Sequence, residues 1–239
     1  GWGWRMAVNL CRLPLSLALI FSGFVKAIDP LGTQYKIGDY LEALHLEQYA
    51  PSWATLTTSV LLSAVEFCLG VFLLFAIRRR KVSRVIVAFM AIMTAITVWL
   101  WGWEPIKDCG CFGDAIHLTN GETLLKNLLL LAMAAVVAWK PFCMVRFISK
   151  TNQWIVINYT LLFILVSSAL SLWYLPPFDF RPYHIGADIR KGMEIPAGAK
   201  QPKFETTFIL EKGGVRKEFT LDNYPDSTWT FIDSKTVEV

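Results

Sequence analysis

"ATLTTSVLLSAVEFCLGVFLLFAI", residues 54–77, decides the fold, because it is a long, mostly apolar run with a single charged side chain, Glu66. A helix crosses the hydrocarbon core of a bilayer with roughly 20 residues of this kind, so the stretch predicts a transmembrane helix. Comparable runs at about 7–27, 85–103, 124–145 and 154–175 predict four more. Composition agrees: the 239 residues are 54% hydrophobic and only 18% charged, with ten tryptophans. A mean hydropathy of +0.44 is too high for a typical soluble domain.

The connections orient the five helices. Placing the N-terminus and the second and fourth connections in the cytoplasm gathers Arg5, Arg12, Arg78, Arg79, Arg80, Lys81, Arg84, Lys140, Arg146 and Lys150 there, with no acidic residue among them. The opposite loops, 26–52 and 104–126, carry Lys26, Lys36, Lys107 and Lys126 against Asp29, Asp39, Glu42, Glu47, Glu104, Asp108, Asp114 and Glu122. That asymmetry is a positive-inside signal. It predicts a multi-pass protein of a bacterial inner membrane with a cytoplasmic N-terminus. Tryptophans 53, 101, 103, 139, 154 and 173 fall near helix ends, where an interfacial belt places them. The net charge of +4 reports topology, and no nucleic-acid partner is expected. The first run, with "VKA" before Ile28, has a signal-peptide flavour. Its apolar stretch is long for one, and Lys26 would sit inside the cleavage motif, so it reads as a membrane helix.

Beyond Pro176 the character changes to mixed charge with no apolar run long enough to span. "FETTFILEKGGVRKEFTL", 204–221, predicts two alternating strands around Lys212-Gly213-Gly214, since paired glycines accept the positive φ of a tight hairpin turn. "STWTFIDSKTVEV", 227–239, predicts a third strand. So small a module has a marginal core; it is expected to lean on the membrane domain, on a partner, or on sequence beyond Val239. The orientation above makes it periplasmic.

Glu66 needs an explanation, because a charge at mid-bilayer costs about 2.5–3.5 kcal/mol on insertion scales. It is expected to face the bundle interior, either as a carboxylic acid making one interhelical hydrogen bond or as a proton relay or ligand contact. Lys26 and Asp29 are candidate companions, although a lysine at a helix end ordinarily snorkels to the interface.

"KDCGCFGD", 107–114, brings Cys109 and Cys111 within one residue of each other on the extracytoplasmic side. A Cys-Gly-Cys segment can close a small disulfide ring, with glycine supplying backbone freedom. Strain in such a ring favours reduction and exchange, and an oxidising compartment suits it. Two other readings stand beside this one: a bond that only pins the loop, and a soft-metal site with His117 as a third ligand. Cys109, farther from the fourth helix, is the preferred attacking thiol. Cys11 and Cys143 fall near the cytoplasmic face and Cys68 within the second helix, as small buried hydrophobes. His45 and His184 read as surface residues, and no phosphate loop, zinc-protease motif or nucleophile elbow is present.

"FSGFVKAIDPLGTQYKIGDYL" at 21–41, "SAVEFCLG" at 63–70 and "DCGCFGD" at 108–114 together resemble the DoxX-type membrane proteins and the related MauE-type proteins of methylamine utilisation, over roughly residues 7–145. The resemblance implies a four-helix membrane bundle, in a group associated with respiratory-chain subunits and with extracytoplasmic disulfide handling. The fifth helix and the tail resemble a longer, Bacteroidetes-type form of DoxX. The expected architecture is therefore an α-helical integral membrane protein. It has a four-helix transmembrane bundle over 1–150, a fifth transmembrane helix over 151–176 and a β-rich extracytoplasmic module over 177–239.

Two functions remain open from the sequence. In one, Cys109 and Cys111 cycle between dithiol and disulfide with a periplasmic thioredoxin-like partner, and Glu66 tunes the bundle or carries a proton. Quinone-coupled disulfide oxidases generally use two cysteine pairs and only one is visible here, so a quinone is a candidate cofactor and no more. In the other, a non-catalytic membrane subunit with a structural disulfide docks a periplasmic or respiratory partner.

Overall fold

The computed structural model describes residues 2–44, 46, 49–103, 110–113, 115–116, 118–174, 178, 186–192, 204–212, 215–220, 223, 225 and 228–238. It divides into two compact units, 1–187 and 188–239.

The first unit is helical: α1 (Trp2–Ile28), α2 (Pro30–Ala43), α3 (Ser52–Leu74), α4 (Arg79–Trp103), α5 (Asn120–Trp139) and α6 (Gln153–Trp173). Five of these, all but α2, are long and apolar enough to cross a membrane. Their faces are sorted as a bilayer requires. Helix α3 buries Thr55, Ser59, Ser63, Glu66 and Gly70, a stripe at helical spacing. It exposes Leu61 and Val65. Helix α6 likewise buries Thr160, Ser168 and Ser171 while Leu161, Leu162 and Leu165 point outward. Small and polar residues inside with leucines outside is the pattern of helices packed in lipid, where polar groups must find partners within the bundle.

Helix α1 packs against α3, α5 and α6, and α4 packs against α5. The α1–α3 approach is close. A Cβ on Gly23 would collide with the backbone nitrogen of Phe67 and lie 2.8 Å from the Ser63 carbonyl oxygen. One on Gly70 would lie 2.7 Å from the Ile20 nitrogen and 2.9 Å from the Ser16 oxygen. The two glycines lie on opposite helices and let the backbones meet.

Two local features differ from the sequence expectation. The segment 26–52, expected as a loop, contains α2. Asp29 caps it, its Oδ1 accepting from Gly32 N–H at 3.0 Å, and Pro30 occupies the first turn. Asp followed by Pro is a helix-start signal, with a side-chain acceptor for an orphan N–H and a proline pre-set in φ. Helix α2 then docks on α3, with Ser59 Oγ donating to the Pro30 carbonyl at 2.7 Å and Gln34 Nε2 to Thr55 Oγ1 at 3.1 Å. The fourth spanning helix, α5, also starts earlier than its apolar run, at Asn120, because Thr119 and Glu122 form a reciprocal capping box. Lys126, at the overlap of the expected loop 104–126 and the expected run 124–145, therefore lies well within a spanning helix.

The second unit holds a single turn of helix, α7 (Ile189–Gly192), and three strands, β1 (Phe204–Lys212), β2 (Val215–Thr220) and β3 (Thr230–Glu238). They form an antiparallel sheet in the order β2-β1-β3. Lys212 pairs with Val215, which places the expected hairpin turn at 213–214, outside the described residues. Leu210 is buried, and Trp229 meets Phe219 edge-on at 5.0 Å.

Candidate functional site

Glu66 is buried in the bundle with 2% of its surface exposed. Its partner is Lys26, whose Nζ lies 2.8 Å from Oε1 and 2.9 Å from Oε2. Lys26 is thus turned inward, 3% exposed, and does not snorkel. A carboxylate in the α3 core offers the ammonium a nearer counter-charge than the interface does, and pairing lowers the desolvation penalty of both ions. Asp29, the other candidate companion, caps α2 and makes no contact with Glu66 among the described residues.

Ser22 joins the pair to the disulfide loop. Its Oγ lies 2.7 Å from Glu66 Oε2 and 2.7 Å from the carbonyl oxygen of Cys111, and it accepts from Lys26 Nζ at 3.2 Å. Ser22 and Lys26 stand four residues apart on α1, which puts them on one helix face. A hydroxyl has one proton to give. With Glu66 ionised, Ser22 donates either to the carboxylate or to the loop carbonyl; with a proton on Glu66, both short contacts become hydrogen bonds at once.

Cys111 is disulfide-bonded and 8% exposed, whereas Cys11, Cys68 and Cys143 are free. Cys109 lies outside the described residues, as do His117, His45 and His184. No group of three metal-ligating side chains occurs among the described residues. The loop around Cys111 turns at Gly110 and Gly113, with φ of 62° and 55°, values that favour glycine. Phe112 next to it packs against Phe21, with ring centroids 5.6 Å apart, and carries Lys126 Nζ at 4.1 Å from its ring centre. That ammonium, held over an aromatic face, is the second cation beside Glu66. A cavity of about 30 Å³ lies among Ser22, Lys26, Glu66, Cys111, Lys126 and Asn127. It has room for a water molecule and the polar partners to hold one.

A larger cavity, about 560 Å³, opens on the other side of the loop between α2, α3 and α4. Its walls are largely apolar, including Tyr40, Leu62, Ile96 and Trp99, and Lys26 and Cys111 lie at its edge. Lys26 and Cys111 border both cavities.

Sequence reasoning singled out Glu66 and Cys111, which the structure brings together through Ser22. It did not find Ser22 or Lys126. The Ser-x-x-x-Lys spacing at 22 and 26 was an available signal for Ser22; Lys126 had none, since a lysine in the first turns of a spanning helix ordinarily reaches the interface.

No curated protein and no solved structure matches the chain. The model of a domain of unknown function, DUF8463, matches residues 204–239. That of the methylamine utilisation protein MauE matches residues 4–140, more than half of the chain and all of the site just described. A bundle of apolar spanning helices and this match agree: the chain is a multi-pass membrane protein and belongs to the MauE family.

Proposed function

We propose that the protein is a membrane thiol–disulfide exchange component in which Cys109 and Cys111 form the working pair outside the cytoplasm. The observation that carries this reading is the link from the Cys111 carbonyl through Ser22 to the buried Glu66–Lys26 pair. A loop that needed only pinning has no use for two buried ions.

In the exchange, a thiolate of a thioredoxin-like partner attacks one sulfur of the Cys109–Cys111 bond, which breaks as a mixed disulfide forms and a thiolate leaves. The partner's second thiol then resolves the mixed disulfide. The partner is oxidised by two electrons, and the pair takes up two electrons and two protons. Cys111 is largely buried, which favours Cys109 as the sulfur that is attacked. The Glu66, Ser22 and Lys26 cluster holds protons within one hydroxyl of the loop. Return to the disulfide needs a two-electron acceptor. A quinone, taking two electrons and two protons, suits the 560 Å³ apolar cavity bordered by Cys111, which lies within the volume range of ligand pockets. The units of this reading are the bundle of 1–150, the helix of 151–176 and the tail of 177–239, with the tail in the periplasm as a docking module.

The test is paired alkylation and mass measurement of Cys109 and Cys111 in membranes across a series of glutathione potentials. A pair that converts between dithiol and disulfide above about −300 mV supports exchange. A bond that stays closed well below that value, where structural disulfides lie, rejects it and leaves a non-catalytic docking subunit.

A further inference from the structure

We propose that the basic end of the bundle, opposite the disulfide loop, holds the phosphodiester headgroup of an anionic phospholipid. This assignment is independent of the exchange reading. The segment after α5, with a short 3₁₀ turn at Pro141–Cys143, is fastened to the helices by arginines. Arg79 Nη1 donates to the carbonyls of Phe142 at 2.9 Å and Met144 at 2.7 Å. Arg12 Nη1 donates to the next carbonyl, Val145, at 2.7 Å. Two guanidinium groups thus converge on adjacent peptide units, and Arg146, the next residue in the chain, borders the same cavity as Arg79.

Among the described residues no carboxylate pairs with these arginines. The sequence has no acidic residue from 1 to 28, from 67 to 103 or from 123 to 178. Among the described residues the ion pairs are Lys26–Glu66 and Glu211–Arg216, neither of them here. The guanidiniums instead face neutral carbonyls and rings, with Arg12 over Phe147 at 5.0 Å and Arg79 over Phe142 at 5.7 Å. Arg12 is only 2% exposed, and the Nε–H groups of Arg12 and Arg79 are buried without a hydrogen-bond partner. A cavity of about 610 Å³ lies beside Arg79, bordered also by Arg5, Arg146, Trp2, Phe142 and Val145, the residue whose carbonyl Arg12 holds. Clustered arginines are suited to phosphate through paired N–H donors. Exposed Trp2 and Phe142 mark this rim as one that sits among headgroups. A lipid supplies both the missing anion and acyl chains for that rim, whereas free phosphate supplies only the first.

The experiment uses the full chain purified in a mild, uncharged detergent, with lipid binding followed by native mass spectrometry. Phosphatidylglycerol should bind at about tenfold lower concentration than phosphatidylcholine, as charge-assisted contacts to arginine imply. Arg146→Gln and Arg79→Gln should each remove most of that preference, weakening phosphatidylglycerol binding more than that of phosphatidylcholine, whose choline offsets its phosphate charge. Arg79 also holds the loop, so if its variant does not fold, Arg146→Gln decides. Equal binding of the two lipids, or a preference that survives Arg146→Gln, overturns the assignment. Displacement of phosphatidylglycerol by millimolar inorganic phosphate would identify a soluble-anion pocket and overturn the lipid assignment too.

Discussion

Glu66 and Lys26 show how a charge is kept inside an apolar helix bundle. The ammonium and the carboxylate meet at 2.8 Å with 3% exposure on each side chain. Such a pair contributes little net stability against apolar residues of equal volume, but removing one member strands the other and costs about 3–5 kcal/mol. Glu66→Leu is therefore expected to lower the unfolding free energy in detergent by that order, and the double variant Lys26→Met/Glu66→Leu to recover most of it. Equal stability of the single variant and the parent would show that the pair is not held as described. Glu66 was legible in the sequence because a carboxylate in the middle of an apolar run has no inexpensive place except inside. Lys26 was legible only as one of two candidate companions, beside Asp29, because a lysine near a helix end can as readily reach water, and the choice depends on what the neighbouring helix presents.

Helices α1 and α3 carry the site, and their separation is set by Gly23 and Gly70. A methyl group at either position meets backbone, which cannot move aside as a flexible side chain can. Gly23→Ala and Gly70→Ala should each destabilise the bundle by about 1–3 kcal/mol, the range of overpacked cores, and should spread Ser22 and Lys26 away from Glu66. Gly102→Ala, with nothing within 4 Å of the added atom, is the control and should match or slightly exceed the parent, given alanine's higher helix propensity. Thermal unfolding of the three variants in one detergent checks the order; similar losses at all three positions would refute the close-approach account. The lengths of the spanning helices were legible from apolar runs to within about two turns. Their starts lay in short polar signals instead: Asp29-Pro30 for α2 and the Thr119, Glu122 capping box for α5. Hydropathy misses these signals because the capping groups are polar.

Within the helical unit α1 runs antiparallel to α3, and α4 to α5: Gly23 meets Phe67 while Gly70 meets Ile20, and Gly121 lies near Trp101 while Asn127 reaches Thr97. Cys143 lies in the segment after α5, at the basic end, and Cys111 in the segment between α4 and α5, at the other. With the positive-inside rule, a membrane-impermeant maleimide applied to mildly reduced spheroplasts should label the loop cysteines and spare Cys143. Labelling of Cys143 alone would invert the orientation and remove the oxidising compartment from the exchange reading. Local sequence alone predicts five helices long and apolar enough to cross a membrane, a basic end to the bundle, and a three-stranded module after it. Each of these depends on local quantities: apolar length, charge count, strand alternation. That Ser22, Lys26, Glu66 and Cys111 form one network, and that Arg12 and Arg79 converge on adjacent carbonyls with no acid among the described residues to meet them, is visible only once the helices are packed. The reason is geometric. Helical periodicity tells which residues share a face, but which faces meet, and at what height, depends on small residues that let two backbones approach, and those contacts join positions 40 to 133 residues apart.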